Sequence, residues 1–149
     1  MKLLTIKTPC VGICSTGIGD DVCRGCKRYA HEVIDWNGYS YNDKAIIEGR
    51  LVSLLTRIIQ NKWVISDENK LQWQIKVQQI SVSTHRNLYC QAYELIKAGA
   101  SQIKQLDDFG LRLMPEVRST PLKVICEEID HEFYTLSVAH YERYFSNFA

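Results

Sequence analysis

Several features are scarce in this sequence, and each scarcity excludes a class of protein. Proline occurs only three times and glycine eight times in 149 residues, with no low-complexity tract. That composition excludes fibrous repeats and argues against disorder. Charged residues interrupt every apolar stretch, so a transmembrane helix is not expected. The first residues, Met1-Lys2-Leu3-Leu4, lack the apolar run of a signal peptide, which makes a cytoplasmic location the expectation. The formal net charge is only +1, so no global field draws the chain to nucleic acid or anionic lipid. A phosphate-binding Walker loop, a dinucleotide fingerprint and a Ser/His/Asp order are all absent.

What is present describes a folded chain. Hydrophobic residues make up 46% and charged residues 23%, enough for one domain, or one domain with a small appendage, around an ordinary core. The charge is mildly asymmetric. Residues 1–62 carry nine Lys/Arg against six Asp/Glu, and residues 63–149 carry nine against eleven. That difference is too small to name a partner, although Arg24, Lys27 and Arg28 crowd together.

Six cysteines are unevenly placed. Four read Cys10-x(3)-Cys14-x(8)-Cys23-x(2)-Cys26 within seventeen residues punctuated by Pro9, Gly12, Gly17, Gly19 and Gly25. In a reducing compartment such clustering fits a metal site better than disulfides. Two close pairs joined by a short loop bring four soft thiolates around one point, which suits tetrahedral zinc or an iron–sulfur cluster. Spacing alone does not separate these two cofactors. Gly25, inside Cys-Arg-Gly-Cys, lets the backbone turn so that amide N–H groups face sulfur, and Gly12 is placed to do the same in the first pair. Arg24, Lys27 and Arg28 would help offset thiolate charge. Cys90 and Cys126 fall on apolar faces of expected helices and read as core residues.

Along the rest of the chain, Lys27–Trp36 reads as a short helix with Ala30, Val33 and Ile34 inward, ended by Asn37-Gly38. Ser40 reads as an N-cap, with Asp43 at the third helical position. A long helix from about Tyr41 to Asn61 follows, its apolar stripe set by Ile47, Leu51, Leu54, Leu55 and Ile58. The period then changes. Trp63 and Ile65, then Leu71, Trp73, Ile75 and Val77, alternate around Asp67-Glu68-Asn69, which predicts a β-hairpin with an extension through Ile80 and Val82. Leu88, Ala92, Leu95 and Ile96 predict a helix capped by Thr84 and ended by Gly99. Asp107–Pro115 reads as a loop. Thr120-Pro121 opens another helix with Leu122, Ile125, Cys126 and Ile129 inward. Phe133–Phe145 fits either a continued helix or a strand.

The stretch Pro9-Cys10-Val11-Gly12-Ile13-Cys14, then Cys23-Arg24-Gly25-Cys26-x-Arg28, Glu32 and Trp36, resembles the small bacterial domain-of-unknown-function family 1289, labelled predicted Fe–S proteins. The likeness covers about residues 8–58 and includes non-cysteine positions. It departs at Tyr29, where the family typically has Thr. The resemblance implies a four-cysteine metal site at Cys10, Cys14, Cys23 and Cys26 and brings no known activity.

Other constellations are weaker. Glu128-x-x-His131, with Glu94 on another helix and His140 nearby, matches half of a di-iron motif, but the second Glu-x-x-His is missing. The plainer reading is a solvated acidic face. Phe133, Tyr134, Tyr141, Tyr144, Phe145 and Phe148 could stack on bases, yet only Arg143 is basic nearby. Nucleic acid is therefore weakly supported, and core packing or a protein partner is favoured. His31 is a reserve metal ligand, and His85 has no assigned place.

The expected architecture is α+β. A cysteine-rich metal-knuckle region with a long helix occupies residues 1–61, and an α+β region of a hairpin and packed helices occupies 62–149. The expected function is metal binding through four cysteines, as a binding or adaptor protein. The alternatives are an iron–sulfur redox or cluster-carrying protein, and an enzyme with its site in the C-terminal region.

Overall fold

A computed structural model describes residues 6–12 and 14–146. Its helices are α1 (Ala30–Asp35), α2 (Tyr41–Gln60), α3 (Glu68–Val77), α4 (Leu88–Gly99) and α5 (Leu122–Tyr141); its strands are β1 (Trp63–Ile65) and β2 (Leu111–Leu113). The architecture is α+β, as its residue patterns predict. Among the described residues no helix is long and apolar enough to cross a membrane.

The chain forms two compact units. One comprises Met1–Ser53 with His131–Ala149, and the other Leu54–Asp130. The boundaries fall inside α2 and inside α5.

In the first unit the buried apolar residues include Val22, Tyr29, Trp36, Ile47, Leu51 and Phe133. Helix α2 starts where its cap predicts, with Ser40 Oγ accepting the Asp43 amide at 3.1 Å. Helix α1 is shorter than its pattern suggests. Lys27 sits in the left-handed region at φ 66°, which no helix interior accommodates, so the helix begins at Ala30. Its buried side chain is Glu32, whereas Ile34 is 76% exposed. The Glu32 carboxylate reaches back to accept the Tyr29 amide at 2.8 Å, which ties down the first turn. Helix α5 continues through the ambiguous Phe133–Phe145 stretch to Tyr141 and loosens into a π-helical turn over Glu142–Ser146. Phe148 lies outside the described residues.

The second unit has Ile59, Trp63, Leu71, Leu95, Ile96, Leu111, Ile125 and Ile129 at its centre. The two-stranded antiparallel element is present, and its first strand begins at Trp63 as expected. Its partner differs from the expected one. Trp63 stands opposite Leu113 and Ile65 opposite Leu111, so β2 arises from the segment read as the loop Asp107–Pro115.

Residues 68–77, expected as the returning strand, are helical instead. Asp67 caps that helix through Oδ1, which accepts the Lys70 amide at 3.1 Å. Leu71 and Ile75 are spaced i, i+4 as well as by multiples of two, so they satisfy both periods. The cap and the burial of Leu71 select the helix and leave Trp73 60% exposed. No strand runs through Ile80 and Val82. Helix α4 is capped by Asn87 rather than Thr84, because Asn87 Oδ1 accepts the Cys90 amide at 3.0 Å. Thr120-Pro121 does open α5, and Ile125, Cys126 and Ile129 are buried. Cys90 is buried too, in keeping with its core assignment.

Candidate metal centre

The cysteine segment is built from two short turns. In the first, Gly12 adopts φ 90°, open to glycine and strained for other residues, and its amide donates to Cys10 Sγ at 3.4 Å. Cys14 follows, with its sulfur 2.9 Å from Thr16 Oγ1. A 3-10 turn over Ser15–Ile18 then closes on Gly19 at φ 101°.

The second turn is tighter. Val22 and Tyr29 pair as an isolated antiparallel bridge. Inside it the Cys23 amide donates to the Arg28 carbonyl at 2.9 Å, and the Lys27 amide donates to the Cys23 carbonyl at 2.8 Å. Positive φ at Lys27 closes this loop and turns the amides inward.

Burial alone would raise the Cys23 thiol. Amide hydrogen bonds from Cys26, Ser15 and Gly25, with one from the Cys26 thiol, outweigh it and bring the group down to about 7. Amides thus face sulfur in both turns, as expected, but only the first is turned by its glycine, since the left-handed residue of the second is Lys27 and not Gly25. Cys26 moves the other way. Burial pushes its thiol up, opposed by the hydrogen bond and charge of Arg28 and reinforced by the charge of Cys23.

The four cysteines are placed unequally. Cys23 and Cys26 are buried, with their sulfurs within hydrogen-bond reach of each other, while Cys10 and Cys14 are exposed. Among the described residues no group of three or more His, Cys, Asp or Glu is gathered closely enough to hold a metal ion. The donor set nevertheless fits a thiophilic metal. One pair of sulfurs is already close, both turns aim amides at sulfur, and the second pair sits on an exposed loop. Such amide donors stabilise thiolates, the form that binds metal.

The three neighbouring cations also differ. Arg24 turns away, paired with Asp20 at 3.1 Å and 5.0 Å from the Tyr134 ring. Lys27 donates to the Gly25 carbonyl at 3.1 Å and lies over Phe133. Arg28 donates from Nε to Cys26 Sγ at 3.3 Å, with its guanidinium over the Trp36 ring at 4.9 Å.

Sequence reasoning missed Ser15. It is buried, its Oγ accepts the Arg24 amide at 2.8 Å, and its own amide faces Cys23. Its position directly after Cys14, between the two pairs, was the available signal.

The carboxylate–histidine constellation does not assemble. Glu94 accepts from the amide and hydroxyl of Ser83, both at 2.6 Å. Glu128 accepts from Lys62 at 3.4 Å, and His131 is exposed. A cavity of about 330 Å³ in the second unit is lined by Ile80, Leu95, Gln102, Lys104, Asp108 and Phe109 among others, and it includes neither glutamate. His31 packs against Tyr29 and Phe145, and Tyr29 also meets Tyr141, so much of the aromatic group serves packing.

The cysteine segment and its supports form a small cysteine-rich module. Residues 8–53 match the model of a family described as "Protein of unknown function (DUF1289)". Comparisons with curated proteins and with solved structures returned no match.

Proposed function

We propose that this is a metal-binding protein in which Cys10, Cys14, Cys23 and Cys26 hold one zinc ion that shapes the N-terminal loop. The observation carrying this reading is the buried Cys23–Cys26 pair, whose sulfurs lie within hydrogen-bond reach and receive backbone amides. Sulfurs that close suit a shared single ion. Ligands at Zn–S distances of about 2.3 Å stand about 3.8 Å apart around a tetrahedron. Two cysteines on one iron of a [2Fe–2S] cluster stand about as close, so metal analysis separates the two cofactors. Cys10 and Cys14 supply the remaining thiolates.

The ion would act as a cross-link for a loop with little core of its own. Four thiolates closing on zinc contribute on the order of 10 kcal/mol of folding free energy. A binding or adaptor role would present the loop's exposed Val11 (62%) and Ile18 (85%) to a partner.

The test is elemental analysis and a visible spectrum on protein purified without oxygen. A colourless preparation with one zinc per chain is the expected result. A brown preparation with iron and acid-labile sulfide would replace zinc by an iron–sulfur cluster on the same thiolates. A preparation without stoichiometric metal, unchanged after incubation with zinc, sinks the reading.

A further inference from the structure

We infer that Arg28 is the built-in counter-ion of the four-thiolate centre, a positioning residue that holds Cys26 in place and balances the centre's negative charge. This rests on the metal-site reading above.

Three observations carry it. Arg28 is 3% exposed, so most of its side chain is covered by protein. Among the described residues it forms an ion pair with no carboxylate. Its Nε donates to Cys26 Sγ at 3.3 Å. A buried guanidinium requires an anion, since desolvating it uncompensated costs several kcal/mol. A neutral thiol is a poor acceptor and supplies no charge. Four thiolates around a divalent ion carry a net charge of −2, and one of them is the atom Arg28 already faces. Trp36 fixes the geometry, with its ring 4.9 Å from the Arg28 guanidinium and 5.6 Å from Lys44 Nζ. Arg24 differs in kind. Its side chain is 65% exposed and satisfied by Asp20, so solvent screens it from the sulfurs.

The test compares R28Q, R28K and R24Q as full-length chains. R28Q and R24Q have the same net charge, so a difference between them reports position and not charge number. Zinc affinity is measured by competition with a chromophoric chelator, and cobalt(II) binding by its thiolate absorption.

R28Q is expected to lower zinc affinity 10–100-fold, the usual loss when a group supporting a ligand is removed. R24Q should stay within twofold of wild type, and R28K should fall between. The metal-free chains give a second readout. Without the thiolate centre Arg28 is a buried cation that faces a neutral thiol and no anion, so metal-free R28Q should melt no lower than metal-free wild type. A purely structural arginine predicts the reverse. Equal zinc affinity in wild type and R28Q overturns the inference and leaves the zinc reading intact. Wild-type protein that binds neither zinc nor cobalt removes both.

Discussion

Glu32 holds Arg50 with both carboxylate oxygens, at 2.6 Å each, across eighteen residues of sequence. The same carboxylate accepts the Tyr29 amide, and the Arg50 guanidinium lies 4.1 Å from the centre of the Tyr29 ring. One buried carboxylate thus fixes the start of α1 and joins it to α2. Removing one partner strands the other, because the surviving charge keeps its desolvation cost. E32A is expected to lose roughly 3 kcal/mol of stability, and R50A a comparable amount. The double variant should lose clearly less than the two losses combined. Urea midpoints decide it; additive losses would mean that the pair does not act as a unit.

The two kinds of cysteine separate under substitution. C23S and C26S are expected to abolish stoichiometric metal and to speed hydrogen exchange across residues 9–26. C90A and C126A should retain full metal content while losing stability as core truncations. Metal loss in C90A would contradict the division drawn between ligand and core cysteines.

Gly110 offers a sharp test of the second unit. Its φ is 71°, and a Cβ placed there would collide with the Asp67 carbonyl oxygen. The Gly110 carbonyl accepts the amides of Ser66 and Asp67 at 2.8 and 3.1 Å, so neither segment moves without breaking the junction of β1 with α3. G110A is expected to cost more than about 2 kcal/mol, from left-handed strain plus overlap. A melting temperature within one degree of wild type would refute this placement.

Alkaline pH should weaken the fold. Burial pushes the Cys126 thiol from 9.0 up to about 11, Lys97 opposing and Glu127 adding to the shift. Burial also raises Tyr93, whose hydroxyl donates to the Cys126 carbonyl at 3.3 Å. Below the unfolded values both states hold these protons, and stability does not depend on them. Between pH 9 and 11 the unfolded chain releases the Cys126 proton first, so the native state binds more protons and stability falls with rising pH. Each such group contributes a slope of about 1.4 kcal/mol per pH unit. C126A should flatten the fall over that window in urea titrations at stepped pH, and an unchanged slope would remove Cys126 as its source.

The legible parts of the fold are those with long, single-period patterns. Helix α2 announces itself through Ser40 and five spaced aliphatic residues, and α5 through Thr120-Pro121 and its inward stripe. The sheet is less legible for two reasons. Strand β2 is only three residues long, and its partner lies far away in sequence. Leu71 and Ile75 serve two periods at once, and a side-chain cap at Asp67 settles the choice. Buried Glu32 was invisible because its partner Arg50 belongs to another helix. At the candidate site the sequence foretold the amide that Gly12 turns toward Cys10, but not that Lys27, rather than Gly25, closes the second turn. It gave no sign that Cys23 and Cys26 are buried while Cys10 and Cys14 face solvent, because that depends on which chain segments cover each turn.

The first unit draws on both ends of the chain, and this has a consequence for how the molecule is made. Lys27 lies over Phe133, Arg24 over Tyr134, and Tyr29 against Tyr141 and Phe145. During synthesis at roughly 5–20 residues per second, the cysteines emerge several seconds before the residues that cover their surroundings. The cysteine turns therefore wait, uncovered, while the whole of residues 54–130 is translated. A fragment ended at residue 53, where the family match stops, would reproduce that unfinished nascent state and not the mature module.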